Sequence, residues 1–142
     1  MRFWDSSALL PLFVNEAGTD RARRRLAEDP VVIVWALTRV ELCSALARRR
    51  RERPDAEVAV GKARHEVLRA SKRWAEIADI DVVRHNAERL VESYPLRAAD
   101  ALQLGAALVA AAGRPADLEF VTLDERQAAA AAGEGFPVLG PR

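Results

Sequence analysis

Short apolar runs alternate with longer segments of helical periodicity along the chain. The runs predict buried strands, because strands covered on both faces are almost continuously apolar. They are residues 2–4, 31–35, 118–123 and 136–139, with the alternating stretch 77–83 as a weaker strand. Helices are predicted at 6–14, 21–28, 38–53, 55–75, 86–93, 97–112 and 125–132. This alternation predicts a three-layer α/β/α domain with a mainly parallel sheet of four to five strands.

Composition and charge narrow the class of protein. The length of 142 residues, of which 50% are hydrophobic, predicts a single domain over 1–142. The net charge of +1 indicates that the protein as a whole is not strongly positive. Cys43 is the only cysteine, so the chain forms no internal disulfide, as in a reducing compartment. Asp5 interrupts the N-terminal apolar run before a signal peptide can form. We therefore expect a cytoplasmic protein.

Four acidic residues stand where burial is expected. Asp5 and Asp124 each follow a predicted strand, whereas Glu41 and Asp100 lie on apolar helices. Asp100 precedes Leu104 by about one helical turn, which places both side chains on the same core-facing side. Acids are rarely buried without a partner. We therefore expect the four acids to share one partner at the edge of the sheet.

Each acid also has a purely structural interpretation. Asp5 and Asp124 could cap the helices that follow them, and Asp100 could interact with the dipole of its own helix. Thr38 and Glu41 have the spacing of a capping box. No acid is decisive alone, but all four structural interpretations must hold together if there is no site.

The chemistry of clustered carboxylates points to a cation. Two carboxylates about 4 Å apart repel each other by about 4 kcal/mol at an effective dielectric constant of about 20. Carboxylate oxygens suit hard divalent ions such as Mg²⁺ or Mn²⁺. Such an ion lowers the pKa of a bound water and neutralises charge on a phosphoryl oxygen. The acid set is therefore typical of a metal-dependent phosphodiesterase.

The segments WDSSALL, RAADALQLGAAL and VTLD contain three of these acids, and together they resemble the PIN-domain ribonucleases. The resemblance is strongest to the VapC-type toxins of bacterial toxin–antitoxin pairs. It spans essentially the whole chain, although the segment around the fourth acid is less specific. It implies a PIN-like fold and Mg²⁺ or Mn²⁺ surrounded by four catalytic, metal-binding acids: Asp5, Glu41, Asp100 and Asp124.

The resemblance also implies a mechanism and partners. A metal-activated water would attack the scissile phosphate of RNA in line, and the products would carry a 5′-phosphate and a 3′-hydroxyl. Glu41 would complete the metal shell or orient the water, while the other three acids hold the metal. Ser7 and Thr122 would be supporting polar residues in the same pocket. The implied partners are RNA, a cognate antitoxin protein and a second copy of the chain.

Arginines near the acids are candidate contacts to phosphate. Arg97 lies three residues before Asp100 and is a candidate RNA phosphate contact. Residues 48–51 are four consecutive arginines, which point in four directions on a helix and cannot all face one ligand. They fit either a solvated helix end with favourable dipole placement or a contact to RNA or an acidic partner.

Two other functions remain as alternatives. One is a catalytically silent PIN-like binding module that acts through its partner, in which the four acids would have no role. The other is a phosphoryl-transfer domain with Asp5 as phospho-acceptor. A haloacid-dehalogenase-type domain needs a second aspartate where this chain has Ser7, and a receiver domain needs paired early acids. Cleavage of RNA with Mg²⁺ or Mn²⁺ separates these alternatives.

Overall fold

The computed structural model describes residues 1–141 and contains one five-stranded sheet. All neighbouring strands are parallel, and their order is β3-β2-β1-β4-β5. The strands are β1 (Arg2–Trp4), β2 (Val32–Trp35), β3 (Ala75–Ile77), β4 (Glu119–Val121) and β5 (Val138–Leu139). The chain reverses its direction across the sheet between β1 and β4. In parallel α/β sheets, ligands bind beyond the strand ends at such a point.

Helices cover both faces of this sheet, which confirms the predicted three-layer α/β/α class. Over the described residues they are α1 (Ser6–Leu9), α2 (Thr19–Glu28), α3 (Thr38–Glu52), α4 (Glu57–Ala70), α5 (Ile80–Ser93), α6 (Ala98–Ala111) and α7 (Glu125–Gly133). Short 3₁₀ turns follow at Leu10–Leu12, Pro54–Ala56, Ser71–Arg73 and Pro115–Asp117. None of the helices in residues 1–141 has the length and apolar character of a membrane span.

Two cores form because successive side chains of a strand point to opposite faces. Phe3 packs with Phe120 in the core beneath α5, α6 and α7, where the two rings stack with centroids 5.6 Å apart. Trp4 and Val121, the next residues of each strand, belong to the other core, with α1, α3 and α4. The central strands are therefore covered on both faces, as their continuous apolar runs predict.

Helices α5 and α6 approach each other closely at Gly105. A Cβ at this position would lie 2.8 Å from the carbonyl oxygen of Val83 on α5, so only glycine fits without a shift. Asn86 Nδ2 donates a hydrogen bond to the Gly105 carbonyl oxygen at 3.2 Å. This contact fixes α6, and with it Asp100 near the start of the helix, against the body of the domain.

The predicted strand at 77–83 is wrong in its boundaries. The strand is Ala75–Ile77, and Ile80 already begins α5. Asp79 is the reason, because its side chain accepts a hydrogen bond from the backbone N–H of Val82 at 3.4 Å and caps that helix. The alternation of apolar and acidic residues thus reflects a helix start.

Candidate functional site

A polar cleft of about 920 Å³ opens beyond the carboxyl ends of β1 and β4. Glu41 on α3, Asp100 on α6 and Asp124 before α7 line it, as do Ser6 and Ser7 of α1. The fourth predicted acid, Asp5, lies between β1 and these serines and is only 2% exposed. The fold thus brings four acids, separated by up to 119 positions, to one place.

Asp5 forms the deepest part of the site. Its backbone N–H donates to the carbonyl oxygen of Val121 at 2.9 Å, which fixes it beside the end of β4. Its Oδ2 accepts from the backbone N–H of Ser7 at 3.2 Å, from the Ser7 hydroxyl and from Thr122 Oγ1 at 3.0 Å. Asp5 is also the N-cap of α1. Its structural interpretation is therefore correct, and it coexists with a place at the site.

The two supporting polar residues occupy different positions. Ser7 lines the cleft, and its Oγ accepts a hydrogen bond from the backbone N–H of Leu123 at 2.9 Å. Thr122 is fully buried and reaches the site through Asp5. Thr122 Oγ1 also accepts from the backbone N–H of Asp124 at 3.0 Å. The two hydroxyls therefore join the end of β1 to the end of β4.

Glu41 is held by side-chain donors on both carboxylate oxygens. Gln103 Nε2 donates to Oε1 at 2.8 Å, and Ser6 Oγ donates to Oε2 at 3.2 Å. The capping-box interpretation is wrong, because Leu37 is the N-cap and makes no side-chain capping bond. The hydroxyl of Thr38 instead lies 3.1 Å from Gln103 Nε2, inside the core. Thr38 therefore helps to orient the donor of Glu41.

Asp124 and Asp100 are linked through a second buried glutamine. Asp124 caps α7 by accepting a hydrogen bond at Oδ1 from the backbone N–H of Gln127 at 2.8 Å. The side chain of Gln127 donates from Nε2 to the carbonyl oxygen of Asp100 at 3.2 Å. Its Oε1 lies 3.3 Å from Thr122 Oγ1. Gln127 thus contacts or supports the segments that carry three of the four acids.

Sequence reasoning missed both glutamines. Gln103 and Gln127 are the only glutamines of the chain, both are fully buried, and each follows an acid by three residues on a helix. That spacing places each glutamine on the same helical side as its acid. A buried amide in an apolar helical face therefore indicates a polar partner, but the partner lies on another element, as Glu41 does for Gln103.

Burial and the charges of neighbouring acids raise the pKa of Asp5, Glu41 and Asp100. Burial raises the pKa of Asp5 to about 6, with a further contribution from the charge of Asp100, against the opposing hydrogen bonds of Ser7 and Thr122. The pKa of Glu41 rises to about 7, first because of burial and then because of Asp5. Burial, followed by the charge of Asp124, raises the pKa of Asp100. The four acids therefore form one electrostatically connected set.

The donor set fits a hard divalent cation in its chemistry. All four acids supply oxygen ligands, and a positive charge would relieve the repulsion that raises the pKa of three of them. Within residues 1–141, however, no group of three or more His, Cys, Asp or Glu side chains is arranged to hold a metal ion. The acids thus match a cation in the chemistry of their oxygens, but the described side chains do not form a complete ligand set.

Comparison with known proteins identifies the family and supports the fold. A sequence profile of the PIN domain matches residues 2–133. The structure is similar to a toxin-antitoxin complex from Klebsiella pneumoniae, with a TM-score of 0.68 and 18% identity over 100% of this chain and 98% of that chain. PAE2754 from Pyrobaculum aerophilum gives a TM-score of 0.67 and 21% identity over 99% of this chain and 88% of that chain. No curated protein sequence matches. At these identities the two structures establish the fold.

Proposed function

Since this chain belongs to the PIN domain family, we propose that it is a Mg²⁺- or Mn²⁺-dependent endoribonuclease and the toxin of a toxin–antitoxin pair. The observation that carries the proposal is the convergence of four acids on one cleft at the strand ends. Glu41, Asp100 and Asp124 face the cleft, and Asp5 supports it from below. Buried acids that raise one another's pKa are typical of functional sites.

The surroundings of the acids support the roles that we propose for them. Asp5, Asp100 and Asp124 would hold the cation. Glu41 would complete the shell or orient the attacking water, because Gln103 and Ser6 fix the direction of its carboxylate. When bound, the cation supplies positive charge beside the scissile phosphate and a water of lowered pKa. The proposed hydrolysis breaks the bond between phosphorus and the 3′-oxygen, leaving a 5′-phosphate and a 3′-hydroxyl.

We also propose partners for this chain. One similar structure is a toxin-antitoxin complex, which supports a cognate antitoxin protein for this chain. We also propose a homodimer that acts on RNA in the cytoplasm. The alternative of Asp5 as a phospho-acceptor is disfavoured, because its carboxylate is enclosed and its Oδ2 already accepts from Ser7 and Thr122.

Cleavage of RNA tests the proposal. The wild type should cleave single-stranded or structured RNA with Mg²⁺ or Mn²⁺ and lose this activity in EDTA. Asp5→Asn and Asp100→Asn should each abolish cleavage, while Asp20→Asn, a charge-matched change of an exposed acid on α2, should not. Equal cleavage by all four proteins would refute the site. No cleavage by the wild type on any RNA would favour the silent binding module.

A further inference from the structure

Three arginines stand at the mouth of the cleft, each on a different element. Arg48 is on α3, Arg97 immediately precedes α6, and Arg126 is on α7. All three side chains are exposed. Among the ion pairs of residues 1–141, none involves any of these arginines. The mouth of the cleft therefore carries three exposed positive groups, together with one exposed acid, Glu125.

Of the four consecutive arginines on α3, only Arg48 lines this cleft. Arg48 follows Glu41 by seven residues, or about two helical turns, so both side chains lie on the same helical face. Its neighbour Arg49 points elsewhere and pairs with Glu16 at 2.9 Å. Arg50 and Arg51 are exposed and do not line the cleft. Helical geometry thus selects one arginine of four for the site.

This distribution of charge suits a polyanion. A single small anion needs one or two guanidinium groups, whereas groups on three elements around an opening can contact successive phosphates of a strand. Arg97 precedes Asp100 by three residues at the start of α6, and both residues line the cleft. Phosphates bound at the mouth would place the intervening phosphate over the acids.

We propose that Arg48, Arg97 and Arg126 bind the RNA phosphates that flank the scissile bond, an assignment that rests on the proposed nuclease function. The three side chains then supply affinity and register, and they leave hydrolysis to the acids. Contacts to the backbone carry no base sequence directly, so this set binds RNAs of different sequence about equally. Each phosphate contact adds about 0.7 to the steepness of the salt dependence for a single strand.

The test measures binding separately from cleavage. Fluorescence anisotropy of a labelled single-stranded RNA of mixed sequence is followed against salt concentration, with Mg²⁺ present and on the Asp100→Asn background. Replacing all three arginines by glutamine should reduce the salt slope by about 2 and the affinity at moderate salt by at least about tenfold. The control replaces Arg50, Arg51 and Arg64, which are exposed and outside the cleft, with the same loss of charge.

The outcomes separate the assignment from the proposed function. A wild type that cleaves RNA, together with an unchanged slope in the cleft triple variant, would overturn the assignment alone. An equal loss in both triple variants would also overturn it, because net charge would explain the binding. A protein that cleaves nothing, yet binds RNA through the three arginines, would refute the nuclease function alone.

Loss of binding to an acidic protein partner with RNA binding intact would overturn the assignment to RNA and assign the mouth of the cleft to that partner. Circular dichroism melts check that both triple variants fold.

Discussion

The acids at the bottom of the cleft are buried or half-buried and hydrogen-bonded, whereas the arginines at its mouth are exposed. At the bottom, Asp5 and Glu41 accept hydrogen bonds from buried or half-buried groups, and burial raises the pKa of both carboxyls. At the mouth, Arg48, Arg97 and Arg126 are exposed. Burial of the charged carboxylates at the bottom of the cleft therefore lowers the stability of the fold. The exposed guanidinium groups at the mouth lower it little, because water still solvates them. The fold therefore holds the carboxylates of Asp5 and Glu41 with hydrogen bonds at the bottom of the cleft, whereas the guanidinium groups at its mouth stay exposed to solvent.

The largest effect is expected from Asp124, where site and helix cap can be separated. Asp124→Asn removes the charge but keeps an oxygen that can accept from the backbone N–H of Gln127. Asp124→Ala removes both. Both variants should lose at least about a hundred-fold in RNA cleavage, the upper range for losing support around a metal. Only Asp124→Ala should also lose about 1 kcal/mol of unfolding free energy, measured by urea titration. An active Asp124→Asn would restrict this residue to capping.

A smaller effect is expected when the supports of the bottom are removed. Gln103→Met and Gln127→Met keep the side-chain volume nearly unchanged but delete the donors to Glu41 and to the Asp100 carbonyl. Cleavage should fall by about ten- to a hundred-fold in each. Because the Gln103 bond lowers the pKa of Glu41, its loss should also move the pH profile of kcat/KM to higher pH. A purely structural role would reduce stability and leave that profile in place.

The smallest effect is expected on the stability of the metal-free protein. The folded state raises the pKa of Asp5 from 3.8 to about 6, so the folded chain holds this proton more tightly than the unfolded chain. The associated stability is present below about pH 4 and is lost as the pH rises through about 6. Asp5→Asn should therefore stabilise the protein by about 1–2 kcal/mol near pH 8 and hardly at all near pH 4. Urea titrations in EDTA at both pH values measure this difference. A variant less stable than the wild type near pH 8 contradicts it.

The sequence alone could predict the elements and acids that depend on local pattern. Asp5 and Asp124 follow apolar runs, and parallel topology then places such residues at one edge of the sheet. The partners of Thr38 and Glu41 could not be predicted, because Gln103 is distant in sequence and only the packing of α6 against β2 and α3 brings it near. The capping-box spacing was a local signal that a tertiary contact overrode.

The four arginines at residues 48–51 also show what local sequence pattern can and cannot predict. Helical periodicity already separated residues 48–51 into different directions. The direction that faces the cleft depends on the position of α3 beside the strand ends, which places Arg48 on the same side as Glu41. Likewise, periodicity predicts a strand at residues 77–83, whereas Asp79 caps α5 and Ile80 begins that helix. Local patterns predicted the elements, and their packing determined which residues meet.

Binding of Mn²⁺ measured by electron paramagnetic resonance tests the central claim most directly, namely that the four acids form one divalent-cation site. The wild type should bind Mn²⁺ saturably, and Asp20→Asn should bind it equally well. Asp100→Asn, which removes one charge from the cleft, should weaken binding by at least about tenfold. Absence of saturable binding by the wild type, or binding that is unchanged in Asp100→Asn, would contradict the account.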